Sequence, residues 1–236
     1  NNDVIENNKL HDYAHPMFGR SDHCPGIIYD ESQHKKNEES SKPTNFLFFK
    51  DSSVEKNKNV KKYLNEGVLE GLHTRYKCKI REPWYSVPSV YKTEIGMLKR
   101  CHDAPRLILN EFGAYTTDTA YRIRSSALSS LNLVYAFINP LSSLCAEIEG
   151  RHYGGGVLEL VPSEIEELLI PILPDQYISK ADLNKLNTLI QSEKMEKVLK
   201  DQSNKILGKV GITKKEQNIL LEGWTSLRLR RQRTSN

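Results

Sequence analysis

Arg75, Lys77, Lys79 and Arg81 alternate with Tyr76, Cys78 and Ile80, and Glu82-Pro83-Trp84-Tyr85 follows directly. Side chains on a strand alternate sides with a period of two, so this spacing predicts a strand with four cations on one face. Such a row can line a phosphate backbone, each cation neutralising one charge and releasing a counterion. Trp84 and Tyr85 beside it suit contacts to sugars, bases or an extruded nucleotide. They fit a packed corner of the core equally well, and a solvated strand face has the same pattern. A second stretch, 110–124, carries Asn110, Thr117, Asp118, Arg122 and Arg124. Its hydroxyl and amide groups are suited to donate to phosphates, as they also are to build an ordinary polar loop. A third, 150–156, holds Arg151, Tyr153, Gly154 and Gly155. Glycines let a ligand approach the backbone closely, and Arg and Tyr are common base and phosphate contacts. A tight turn is the plainer reading.

Catalytic patterns are missing from the sequence. It has no GxSxG, P-loop, HExxH or metal-spaced His/Cys/Asp cluster, and no Asn/Asp-Pro-Pro-Tyr/Phe loop of the enzymes that methylate exocyclic amines. Gly154-Gly155-Gly156 lacks the Gly-x-Gly-x-x-Gly spacing of a dinucleotide loop. His15, His102 and His152 read as solvated or hydrogen-bonded rather than as bases. Cys24, Cys78, Cys101 and Cys145 form no CxxC pair, which predicts reduced thiols and no zinc. The chain is therefore expected to hold no active site and to bind no cofactor of its own.

Length and charge narrow the class. A chain of 236 residues, 38 % hydrophobic and 27 % charged, is long enough for a real core and too apolar for wholesale disorder. No apolar run approaches the roughly 18 residues of a membrane span. The start, Asn1-Asn2-Asp3, has no initiator Met and no apolar leader, so the chain reads as a piece of a longer cytoplasmic protein. Net charge is only +4, yet ten basic residues face five acidic ones between positions 71 and 124. That concentration points to a polyanion.

The elements that must position these residues make an α+β fold, with mixed small sheets, packed helices and a helical C-terminal part. A buried strand is expected at 45–49, a helix at 60–71, strands at 107–109 and 121–124, and helices at 128–138 and 141–149. A strand is also expected at 157–160. Ser163 followed by Glu166 suggests a capping box. Leu183, Leu186, Ile190, Met195 and Leu199 predict one helix over 180–202. A last helix at 214–227 would end in an arginine tail, 228–233, either phosphate-binding or merely soluble. Residues 1–175 are assigned to one domain and 176–236 to a helical extension.

Several segments fall in one order. They are Lys77-Cys78-Lys79-Ile80-Arg81-Glu82-Pro83-Trp84-Tyr85, Pro105-Arg106-Leu107-Ile108-Leu109-Asn110, Thr116-Thr117-Asp118-Thr119, and Gly150-Arg151-His152-Tyr153-Gly154-Gly155-Gly156 running into Val157-Leu158-Glu159-Leu160-Val161-Pro162-Ser163-Glu164. With His15-Pro16-Met17-Phe18-Gly19-Arg20-Ser21 upstream, the order resembles the C-terminal target-recognition region of adenine-specific DNA methyltransferases of bacterial restriction–modification systems. The likeness covers about residues 13–175.

The resemblance implies sequence-specific binding of double-stranded DNA. Methyl transfer would fall to an N-terminal domain that binds S-adenosylmethionine and lies outside this chain. It assigns Arg75, Lys77, Lys79, Arg81, Arg122 and Arg124 to phosphates. Arg20, Ser21, Arg151 and Tyr153 are assigned to groove or backbone contacts, with Thr117, Asp118, Gly154 and Gly155 beside them. Trp84, Tyr85 and Asn110 serve either DNA or the fold. The parent is either a stand-alone methylase or one fused to a nuclease. The alternatives are a type I specificity subunit, whose expected internal repeat is absent, and a non-catalytic protein-interaction module.

Overall fold

The N-terminal stretch forms helix α1 (Asn2–Asn8) and strand β1 (Ala14–Phe18), and the computed structural model describes residues 2–88, 90–116, 118–174 and 177–233. Strands of two to five residues cannot make one large sheet, and they assemble into three small ones. In the second sheet β2 (Ile28–Tyr29) lies parallel to β7 (Leu107–Asn110), which pairs antiparallel with β5 (Ile95–Leu98), and β5 with the edge strand β9 (Ala120–Ile123). β7 is buried along its whole length, which is why it reads as an unbroken apolar run. β9 alternates from Tyr121 onward, with Tyr121 and Ile123 half-buried and Arg122 exposed. The first sheet has the order β3 (Asn45–Leu47), β1, β8 (Tyr115–Thr116), β4 (Tyr91–Lys92). The third pairs β10 (Arg151–Tyr153) with β11 (Val157–Glu159), and β11 with β6 (Arg100–Cys101).

Helix starts follow local capping chemistry. Asp30 caps α2 (Glu31–Glu39) by accepting from the Gln33 N–H at 2.8 Å. Asn57 caps α3 (Lys58–Leu69), which ends at Gly71 in the left-handed conformation, φ 72°. The single turn α4 (Tyr76–Lys79) follows. Ser129 caps α5 (Ser130–Ala136), and Asn139 caps α6 (Pro140–Glu149) with Pro140 at its first position. The chain continues through α7 (Pro162–Glu166), α8 (Lys180–Ser192), α9 (Met195–Ile206) and α10 (Lys214–Arg233).

The largest core runs from Ile27 through Met97, Leu107 and Phe137 to Leu183, Leu199 and Trp224, so the sheet and the last three helices share buried surface. α8 is tied to the sheet by Asn187, whose Oδ1 accepts from the Ile27 and Ile28 N–H groups at 2.7 and 3.1 Å. A smaller cluster of Phe18, Cys24, Tyr29, Ile108 and Ala114 sits behind the first two sheets, where burial pushes the Cys24 thiol up to about 12. A third, Leu10, Phe49, Val60 and Leu64, supports α3, with Trp84 and Tyr85 packed on it. Among the described residues no single helix is long and apolar enough to cross a membrane.

Five expectations need correcting. Residues 75–81 are no strand: Arg75 caps the turn α4, because Gly71 and Pro83 bracket a segment with no strand beside it to pair with. The helix at 162 starts one residue before Ser163: Pro162 suits the first helical position, and Glu164 Oε2 accepts from the Val161 N–H at 2.8 Å. The helix expected over 180–202 is two helices, broken at Glu193 and Lys194. Residues 45–49 give a half-buried strand of only three residues at a sheet edge. The arginine tail is the last turn of α10, with Arg231 buried. The assigned boundary at 175/176 lies outside the described residues.

Two buried histidines make the fold acid-sensitive. His34 donates or accepts at the Tyr29 hydroxyl, 2.8 Å away, while both ring nitrogens of His23 lack a partner among the described residues. Burial lowers both pKa values below 6.5. They stay neutral in the fold while the unfolded chain takes up protons near pH 6.5, so stability is full above that pH and falls on acidification below it. The urea midpoint is expected to be lower at pH 5.5 than at 7.5, and His23→Phe to flatten the difference. An equal slope in the variant refutes the assignment to His23.

Candidate nucleic-acid interface

Four cations lie over four tyrosines, whose rings are carried by β4, β8, β9 and β10. The Arg122 guanidinium on β9 is 3.9 Å from the centre of the Tyr91 ring on β4. Lys92 sits 5.2 Å over Tyr115, Lys99 5.0 Å over Tyr121, and Arg100 5.9 Å over Tyr153. The register explains the arrangement: Lys92 is directly opposite Tyr115, and Met97 opposite Tyr121, which leaves Lys99 beyond the end of β5 free to fold back over that ring. A ring face attracts a cation and holds a long side chain in place without neutralising it. Among the described residues Lys92, Lys99, Arg122 and Arg124 have no carboxylate within ion-pair distance, so their charge remains available.

Two grooves flank this row. One, of about 670 Å³, has an apolar floor of Ile123, Leu133, Ile165 and Leu168 and a rim that includes Lys99, Arg122 and Arg124. The other, of about 650 Å³, is bounded by Arg20, Ser21, Lys99, Arg100 and Asp118. Lys99 and Asp118 border both, so the two form one continuous surface. Beyond it the β10–β11 hairpin carries Arg151, paired with Glu164 at 2.7 Å, and Arg100 pairs with Glu159 at 2.5 Å. Both arginines are more than half exposed, so these pairs bring a modest electrostatic gain, although their glutamates are largely covered.

A buried clamp holds the hairpin from behind. Arg231 spends all five guanidinium donors. Nε and Nη2 form a fork on the Glu147 carboxylate at 2.9 and 2.6 Å, and the remaining donors go to the carbonyls of His102, Asp103 and Gly156. One turn earlier Arg228 meets Asp103 at 2.5 Å.

The profile described as "Type II methyltransferase M.Eco57I, C-terminal domain" matches residues 1–207. The chain belongs to that family. A solved structure, described as that of the type IIG restriction endonuclease BpuSI, has the same fold over 97 % of this chain, with a TM-score of 0.56 at 12 % identity. This chain spans 27 % of that one's length. No curated protein matches.

Within this M.Eco57I-type C-terminal domain the expected site residues divide. Arg20, Ser21, Asp118, Arg122 and Arg124 converge on the grooves, and Tyr153 joins them through Arg100. Thr117 lies outside the described residues. Arg75, Lys77, Lys79 and Arg81 sit apart on and beside α4, and Arg81 donates to the Ser86 carbonyl at 3.1 Å. Trp84 packs where a Cβ on Gly67 would stand, and the Tyr85 hydroxyl donates to Glu55 at 2.7 Å, so both serve the third core. Asn110 is buried: its amide donates to the Thr93 and Ala114 carbonyls and accepts from the Ala114 N–H, leaving no donor for a ligand. Gly155 needs glycine for its φ of 77°, whereas Gly154 has ordinary backbone and nothing within 4 Å of where a Cβ would stand. Sequence reasoning gave no site role to Tyr91, Lys92, Lys99, Arg100, Tyr115 and Tyr121. The clustering of basic residues over 71–124 was the one signal that touched them.

Proposed function

We propose that this chain reads double-stranded DNA as the target-recognition part of an adenine-specific methyltransferase of a restriction–modification system. The observation that carries the reading is the row of unneutralised cations held over tyrosine rings along the grooves. Lysine and arginine so held meet phosphates with little further loss of freedom, and the exposed Tyr91 ring offers a stacking face. Open space at Gly154 lets a nucleic-acid backbone come close to the hairpin.

On this reading residues 1–175 grip the duplex around the point of base extrusion, since a base can be methylated only outside the stack. Methyl transfer, with S-adenosylmethionine as donor, belongs to a catalytic domain beyond these 236 residues. Duplex DNA and that domain are the partners, in the cytoplasm. The test is a binding titration of this chain on duplex DNA from low to physiological salt, with a methylation assay beside it. Expected is a steep linear fall of log affinity with log salt and no methyl transfer. Absence of binding at every salt overturns DNA recognition by this chain, and methyl transfer overturns the division of labour.

A further inference from the structure

The sequence places Tyr76 and Ile80 on the side of a strand opposite the cations; in the structure they lie on and beside a helical turn and stand 79 % and 68 % exposed. On the turn α4 the N–H groups of Cys78 and Lys79 close on the Arg75 carbonyl at 2.9 and 2.8 Å. Residues four apart on such a turn share a side, so Tyr76 and Ile80 project together while Cys78 is half-buried. Arg75, Lys77 and Lys79 are exposed around them, and none has a carboxylate within ion-pair distance among the described residues.

The turn is framed on both sides. Gly71 ends α3 immediately before it, and the Thr74 hydroxyl donates back to the Gly71 carbonyl at 2.8 Å. After it, Trp84 and Tyr85 fasten the chain to the third core. α4 contributes no residue to either groove. The molecule therefore presents an apolar pair on a supported turn, ringed by free cations and separate from the tyrosine row. The centre of a protein-docking patch is normally depleted in lysine. An apolar projection flanked by lysine and arginine is what opens a base step while cations hold the adjoining phosphates.

We propose that Tyr76 and Ile80 form a wedge that enters a DNA duplex at a base step and unstacks it, with Arg75, Lys77 and Lys79 on the flanking phosphates. This rests on the reading of the chain as a DNA-binding domain. The wedge adds deformation to that reading: DNA opens where α4 inserts, at a point apart from the groove contacts.

The test uses the whole chain on a mixed-sequence duplex, with binding followed by anisotropy. Unstacking is followed by permanganate, which oxidises thymines only where they are unstacked. The wild-type chain is expected to raise thymine reactivity several-fold over free duplex. Tyr76→Ala/Ile80→Ala should bind with an unchanged salt slope and return reactivity to the free-duplex level, while Tyr76→Phe keeps it. Circular dichroism checks that the double variant remains folded. Binding by the wild-type chain without new reactivity, or reactivity retained in the double variant, overturns the wedge and leaves DNA binding standing. No binding by the wild-type chain overturns both. A double variant unchanged on DNA, but stripped of self-association seen by sedimentation in the wild type, makes α4 a protein contact and overturns the wedge.

Discussion

Arg231→Ala is expected to destabilise the chain by about 3–5 kcal/mol, because it leaves the buried Glu147 carboxylate without its partner. Both side chains are fully buried, so water cannot replace the lost contacts. The carbonyls of His102, Asp103 and Gly156 lose their donor as well. A loss of this size is a large part of the roughly 5–15 kcal/mol that holds a typical domain together. The paired replacement Arg231→Met/Glu147→Leu removes both charges and is expected to recover the part due to the unpaired carboxylate, while the carbonyls of Asp103 and Gly156 still lack the guanidinium donor. Urea unfolding of the three proteins measures this. A single variant within about 1 kcal/mol of wild type, the range of an exposed pair, would show that the fork does not hold the fold. His152 lies 3.6 Å from the Glu147 carboxylate and is half-exposed, and it cannot replace a guanidinium that spans five acceptor oxygens on four residues.

Removing Lys99 and Arg122 together has the largest expected effect on DNA binding. Each is held by a ring and not by a carboxylate, so each loss subtracts a whole phosphate contact. The slope of log affinity against log salt should shrink by about 0.9 for each cation. Hydrogen bonds to charged groups are worth about 1.5–3 kcal/mol, so affinity at low salt should fall at least about tenfold per residue. Both side chains are at the rim of a groove and outside the cores, so the unfolding midpoint should move little. Lys197→Ala, whose lysine pairs with Glu193 on the exposed side of α9, serves as the control with an unchanged slope. If Lys99→Ala/Arg122→Ala binds with wild-type slope, the tyrosine row is not the phosphate contact.

The elements that sequence reasoning locates are those whose pattern is settled locally. Leu107–Leu109 is apolar throughout because both faces of β7 are covered, and α6 is marked at both ends by Asn139-Pro140 and Gly150. At α4 seven alternating residues fit a strand, and only the missing neighbouring strand decides against it. Over 180–202 the apolar spacing continues across the break at Glu193 and Lys194, so the pattern alone does not show two helices. Within the candidate site, Arg122 was legible from its alternation on β9, whereas Lys99 and Arg100 acquire meaning from rings on other strands. Arg231 was the hardest to read. It looks like one of several soluble arginines until Glu147, 84 positions away, is seen to be buried against it.

That separation also sets an order in time. The carbonyl of Gly156 precedes Arg231 by 75 residues, so at about 5–20 residues per second the hairpin leaves the ribosome roughly 4–15 s before its fastener. During that interval β10 and β11 can pair, but Glu147 lacks the guanidinium that partners it in the fold. The interior of this corner is closed last, by the final turn of α10. Translation that stalls between the two points leaves a nascent chain whose hairpin is present in sequence and unfastened in space.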